Sequence, residues 1–197
     1  MPARWTKLSR KRGHVAEPSD IEIASCFNAT FARSHHTVLV GGVLAPYYLP
    51  AAAPHRSIIR YRENFAASAL HEAAHWCMAG QHRLRQRDFG YWYIPSPRSE
   101  EESAAFLAAE CPVQALEQIF AEAAGLPFRV SLDDLGLELS SRRQEFAAEV
   151  QARARTWRDH GLPRRAQGFV HSLTGRFGGR SDLQAGEHDV DEAILRT

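Results

Sequence analysis

The chain is poor in several features that would settle its class at once. Cysteine is scarce: the 197 residues include three, Cys26, Cys77 and Cys111. The number is odd and no C-x-x-C is formed, which argues against a disulfide framework and against a zinc site built from cysteine alone. Reduced thiols in a cytoplasm are the simplest reading. Charge of one sign is also missing. A formal net charge of +1 makes no global case for nucleic acid or an anionic membrane as partner. No apolar run approaches the ~20 residues of a membrane-spanning helix. Met1 to Gly13 is basic but lacks the apolar segment of a signal peptide, so export is not expected. Internal repeats are absent. What remains, 44% hydrophobic and 24% charged, is an ordinary soluble composition, long enough for one domain with a real core.

Against that plain background one stretch carries chemistry. Leu70-His71-Glu72-Ala73-Ala74-His75-Trp76 reads H-E-x-x-H inside a run of good helix formers. Residues four apart share a helix face, so two imidazoles at that spacing can bind one metal ion while Glu72 points elsewhere. The plainer alternative is a pair of ordinary histidines on a packed helix.

The remaining chain reads as a mixed α/β (α+β) fold, a small mixed sheet packed with helices around that central helix. Residues 1–18 form a basic flexible arm, 19–177 a single catalytic domain and 178–197 a partly loose tail. Ser19-Asp20 caps a first helix carrying Ile23, Phe27 and Phe31 and ending near His35 and His36. Thr37 to Val40 is a strand closed by Gly41-Gly42, Tyr47 to Pro50 a short extended piece, and Ser57 to Tyr61 a second strand. The motif helix spans about Asn64 to Ala79, with Gly80 placed for a left-handed closure. Asp88 to Ile94 reads as an aromatic strand, with Phe89, Tyr91 and Tyr93 on one face. Ser99 to Glu102 is a capping box. Pro112 predicts that the helix it opens stops near Glu110 and that a second runs from Val113 to Ala124. Ser141-x-x-Gln144 caps a long helix ending at Gly161, and a last helix follows from Pro163 to about Phe177.

A metal needs a third ligand. Some zinc peptidases use H-E-x-x-H-x-x-G-x-x-H, but here the glycine position is Met78 and the histidine position Gln81. His82 lies one residue too far and fits only if the turn is unusual. Others use a glutamate on a later helix, and Glu110 is the leading candidate of that kind. Glu100, Glu101 and Glu102 read as cap and surface charges. Two histidines and a carboxylate suit non-haem iron(II) with dioxygen, and they suit catalytic zinc equally.

With these residues in view the chain resembles the bacterial hydroxylases of elongation factor P. The likeness is carried by Ala45 to Ala51, Ser68 to Gly80 with the H-E-x-x-H motif, Asp88 to Pro95, Glu110, and Gln114 to Glu117. Ala123 to Phe128, Ser131, and Asp133 to Leu135 complete it. The chain departs from the family pattern at Cys111-Pro112-Val113, where a basic residue and then a proline next to the glutamine are expected. The resemblance implies a cytosolic enzyme that adds one oxygen to the β-lysylated lysine of elongation factor P. It implies His71, His75 and Glu110 as ligands of a divalent metal, Fe(II) being the working ion and dioxygen a substrate, with the electron donor or co-substrate left open. It further implies a fold similar to that of a bacterial rRNA-processing metalloprotein. Under this reading Glu72 orients a ligand or bound water. Asp88, Tyr91 and Tyr93 can line a channel for a long cationic side chain, though the tyrosines suit a core strand as well. Gln114 holds Glu110 or the substrate, or caps a turn. No membrane and no nucleic acid are expected as partners. The competing readings are a zinc peptidase with Glu72 as base, and an RNA- or ribosome-associated protein with a structural metal.

Overall fold

A computed structural model describes residues 17–90, 98–132 and 140–179. The first helix, α1 (Asp20–Phe31), opens on a reciprocal capping box. The Glu22 amide donates to the Ser19 hydroxyl at 3.3 Å, and the Ser19 amide donates to the Glu22 carboxylate at 2.9 Å. It ends a turn before the two histidines that the sequence suggested as its limit.

Three strands follow, β1 (Thr37–Val43), β2 (Tyr47–Leu49) and β3 (Ser57–Arg62). β3 lies in the middle, parallel to β1 and antiparallel to β2, so the sheet is small and mixed as expected. Ser57, Ile59 and Tyr61 alternate onto its buried face. β1 does not stop at Gly41-Gly42 but continues to Val43 across an irregularity in register. Gly41 serves a close approach: a Cβ there would lie 2.5 Å from the Tyr61 ring.

The central helix is α2 (Ala66–Met78), followed by α3 (Glu100–Ala124), α4 (Ser140–His160) and α5 (Arg164–Phe177). α2 packs against β3, α1, α3 and α5. The apolar side of α2 meets an aromatic cluster. The Trp76 ring centroid sits 5.1 Å from Phe27 and 4.9 Å from Phe31, and Phe169 stands 5.4 Å from Phe27. With that side locked into the core, the histidine side is held toward α3.

Three further sequence expectations fail for physical reasons. Gly80 is not the left-handed cap of α2; the helix ends in an extended Ala79, and Arg165 of α5 donates to the Cys77 and Ala79 carbonyls instead. The same guanidinium lies 4.7 Å above the Trp76 ring. A side chain from another helix thus serves carbonyls at the end of α2, among them that of Cys77, in the last turn.

The aromatic strand fails at its start. Arg87–Gly90 is a tight turn in which Asp88 (φ 50°) and Phe89 (φ 56°) are both left-handed. Phe89 is nevertheless buried and stacked 4.3 Å from Tyr48, while the Asp88 carboxylate accepts the Tyr48 amide at 2.8 Å. That carboxylate occupies the β2 edge that another strand would have used. Tyr91 to Pro97 lie outside the described residues, so Tyr91 and Tyr93 are not placed.

The break at Pro112 does not occur. α3 runs as one helix of 25 residues through the proline. The donor lost is the one that the carbonyl of Ala108 would accept, and Ala108 is exposed, where water can serve instead. Pro112 therefore marks a change of environment rather than of structure. Before it Ser103 is the one buried residue, whereas Val113 to Leu116 follow it all buried. No helix among the described residues is long and apolar enough to cross a membrane.

Candidate metal centre

The centre forms where the polar side of α2 faces α3. His71 and His75 are one turn apart, and their Nε2 atoms converge to 3.2 Å. Glu110 of α3 closes the third corner. Its Oε2 lies 3.6 Å from His71 Nε2 and its Oε1 3.5 Å from His75 Nε2. Among the described residues these three are the group whose donor atoms, all within 4.8 Å of one another, could hold an ion. Neighbouring ligands on an ion with bonds of ~2.1 Å sit about 3.0–3.4 Å apart, so these separations need little adjustment to receive one. All three side chains keep a small opening, 21% exposed for His71, 18% for His75 and 12% for Glu110, so a ligand can reach them.

α3 supports its carboxylate from within. Glu110, Gln114 and Glu117 follow at helical spacing on one face. The Gln114 amide donates to Glu110 Oε2 at 3.4 Å and to the Ser131 carbonyl at 2.9 Å, and its oxygen accepts the Ser131 amide at 3.1 Å. Gln114 thereby links Glu110 to the loop after α3. Glu117 reaches the far side of His71, with Oε2 2.8 Å from Nδ1. One imidazole thus spans two carboxylates that stand two helical turns apart. Nothing local in the sequence marks Glu117; its one signal is its place seven residues after Glu110, on the same helix face.

The electrostatics are compatible with a cation at this point. Two imidazoles meet the carboxylates of Glu110 and Glu117 and feel the charge of Glu72, and so much negative charge in a mostly buried space calls for a cation or for protons. Burial pulls the His71 pKa down, but the hydrogen bond and charge of Glu117, with the charges of Glu110 and Glu72, overcome it and push it up to about 10. Burial raises Glu110, yet the His75 hydrogen bond and the two imidazoles bring it down to about 2. Glu72, where burial outweighs the nearby histidines, is raised above the ordinary carboxylate range. Glu72 makes no hydrogen bond among the described residues. A divalent ion would displace the proton from His71 Nε2 and take over its role, so metal binding and proton release are coupled here.

Among the described residues, the other candidate carboxylates and His82 are not part of this donor group. His82 is exposed, as are Glu100, Glu101 and Glu102 at the start of α3. Asp88 is on the turn next to Phe89, whose ring lies 6.4 Å from that of His75. Its second oxygen is 3.5 Å from Arg87 Nε, and the side chain remains 43% exposed.

Comparison with known proteins bears on this region directly. A family model described as elongation factor P hydroxylase matches residues 26–187, a span that contains both histidines and Glu110. The chain is also 37% identical over 171 residues to a protein of Haemophilus influenzae named elongation factor P lysine hydroxylase, covering 86% of this chain and 95% of that one.

Proposed function

The chain belongs to the elongation factor P hydroxylase family, and from that premise we propose that it adds one oxygen atom to the β-lysylated lysine of elongation factor P, using non-haem iron(II) held by His71, His75 and Glu110. The observation that carries this reading is the meeting of the three donors at one point from two helices. Iron(II) in such a set would supply the dioxygen activation that hydroxylation of an unactivated carbon needs.

The chain's own residues do the rest. His71 and His75 offer their Nε2 lone pairs from a helix face fixed by Trp76 on the opposite side. Glu110 offers either oxygen, with its torsion restrained by Gln114. Glu72 stands beside the donors without a hydrogen-bonding partner among the described residues, where it can orient a bound water. Asp88, held by the Tyr48 amide through one oxygen and partly exposed at the other beside Arg87, could still meet the ammonium of a long cationic side chain. The enzyme works in the cytoplasm, a setting compatible with three free cysteine thiols.

The test is the mass of elongation factor P from cells with the gene, without it, and with Glu110→Ala in its place. One extra oxygen on the β-lysylated form is expected with the intact gene alone. Equal masses with and without the gene would refute the assignment. A zinc peptidase with Glu72 as base is the competing reading, favoured by the H-E-x-x-H pattern itself. It predicts metal-dependent peptide cleavage that disappears in Glu72→Gln.

A further inference from the structure

Behind the three donor groups stands a residue that neither the H-E-x-x-H motif nor the proposed ligand set includes. Glu117 lies in the buried half of α3 and is itself 8% exposed. A carboxylate carried into such surroundings is costly unless it is paired. Its hydrogen-bonding partner among the described residues is His71, at 2.8 Å through Nδ1.

A buried ion pair could be no more than packing, but the ring it engages argues otherwise. The opposite nitrogen of that imidazole, Nε2, lies 3.2 Å from His75 Nε2 and 3.6 Å from Glu110. A neutral imidazole carries its proton on one nitrogen, and the hydrogen bond at one nitrogen decides the role of the other. A carboxylate can only accept. With Glu117 at Nδ1, the proton stays on Nδ1 and the lone pair on Nε2 points to the centre. The contact also fixes the rotation of the ring about its bond to the chain.

We propose that Glu117 is a positioning residue of the metal centre: by accepting the Nδ1 proton it locks His71 in the tautomer and orientation in which Nε2 binds the ion, and raises the basicity of that nitrogen. The proposal rests on His71, His75 and Glu110 being the ligands. It touches neither substrate nor ion. Glu110 and Glu117 are then one helix's contribution to the two ends of one ring, the first acting on the ion and the second through the histidine.

The test uses the full chain loaded with zinc alone, as a diamagnetic probe, and three variants. Zinc affinity is measured by competition with a chromophoric chelator for the natural chain, Glu117→Gln, Glu117→Ala and Glu110→Ala. Thermal unfolding of each metal-free protein separates lost folding from lost binding. Glu117→Ala is expected to weaken zinc 10–100-fold, the usual worth of a group that orients a metal-binding histidine. Glu117→Gln, whose amide oxygen can still accept the Nδ1 proton, is expected to fall between Glu117→Ala and the natural chain. In the natural zinc-loaded protein, ¹H–¹⁵N spectra of the imidazoles should show a slowly exchanging proton on His71 Nδ1 and none on Nε2. This second measurement needs no variant to fold. A folded Glu117→Ala with unchanged zinc affinity, or a His71 Nδ1 without its proton, would overturn the proposal. If Glu110→Ala loses zinc while Glu117→Ala keeps it, the ligand assignment stands and the role of Glu117 alone falls. A natural chain that binds no zinc overturns both.

Discussion

α2 and α3 face each other across the centre and contribute to it in opposite ways. α2 brings two donors within five residues, on a helix whose other side is locked by Trp76 in an aromatic cluster. α3 brings Glu110, Gln114 and Glu117 on a helix that is largely exposed before Pro112 and largely buried after it. The donors of α2 form a local motif. Those of α3 form a stripe, recognisable only once the helix is known to be continuous. The difference teaches that a local pattern can announce a candidate metal site while the groups that could complete it are supplied by spacing on a second element.

The sharpest way to break the comparison is to remove the α3 donor. Partners that merely orient a ligand are worth 10–100-fold, so Glu110→Ala should weaken iron(II) or zinc by more than a hundredfold. Isothermal titration on the folded variant checks this. A loss below tenfold would mean that α3 only walls the site. The cap that α5 places on α2 comes next. Arg165→Met keeps much of the stem that packs against Trp76 but removes the donors to the Cys77 and Ala79 carbonyls. Charged hydrogen bonds of this kind contribute about 1.5–3 kcal/mol, so the denaturation midpoint should fall while α2 still binds metal. No change in midpoint would show that the cap is dispensable. The smallest effect is expected at Pro112. Pro112→Ala restores a donor near the Ala108 carbonyl, and because that carbonyl sits on the wet side the gain should be about 1 kcal/mol, with metal affinity unchanged. A clear drop in affinity would instead give the proline a part in placing Glu110.

Much of the frame could be read from the chain alone because its signals are local. Ser19 caps α1 and Ser99 opens a capping box as the sequence suggests, the run Ser57 to Tyr61 makes a strand, and the histidine pair lies on one helix face. The failures are all cases in which a distant group overrides local preference. Arg165, 86 residues after Ala79, replaces the glycine cap. Tyr48, 40 residues before Asp88, donates its amide to the Asp88 carboxylate at the sheet edge, and the start of the expected strand, Asp88 to Gly90, is a left-handed turn instead. Burial of the residues after Pro112 carries α3 through a position that propensity alone would break. Glu110 is legible as a candidate, and the fold brings it beside the two histidines. Glu117 became visible only when His71 Nδ1 was seen to face it.

The most direct measurement is the metal content of the chain purified without oxygen, beside Glu110→Ala prepared in the same way. If His71, His75 and Glu110 hold one ion between α2 and α3, the natural protein carries close to one iron per chain and the variant a small fraction of that. Equal metal in both, or a natural chain that takes up none even when iron(II) is supplied, would contradict a shared centre.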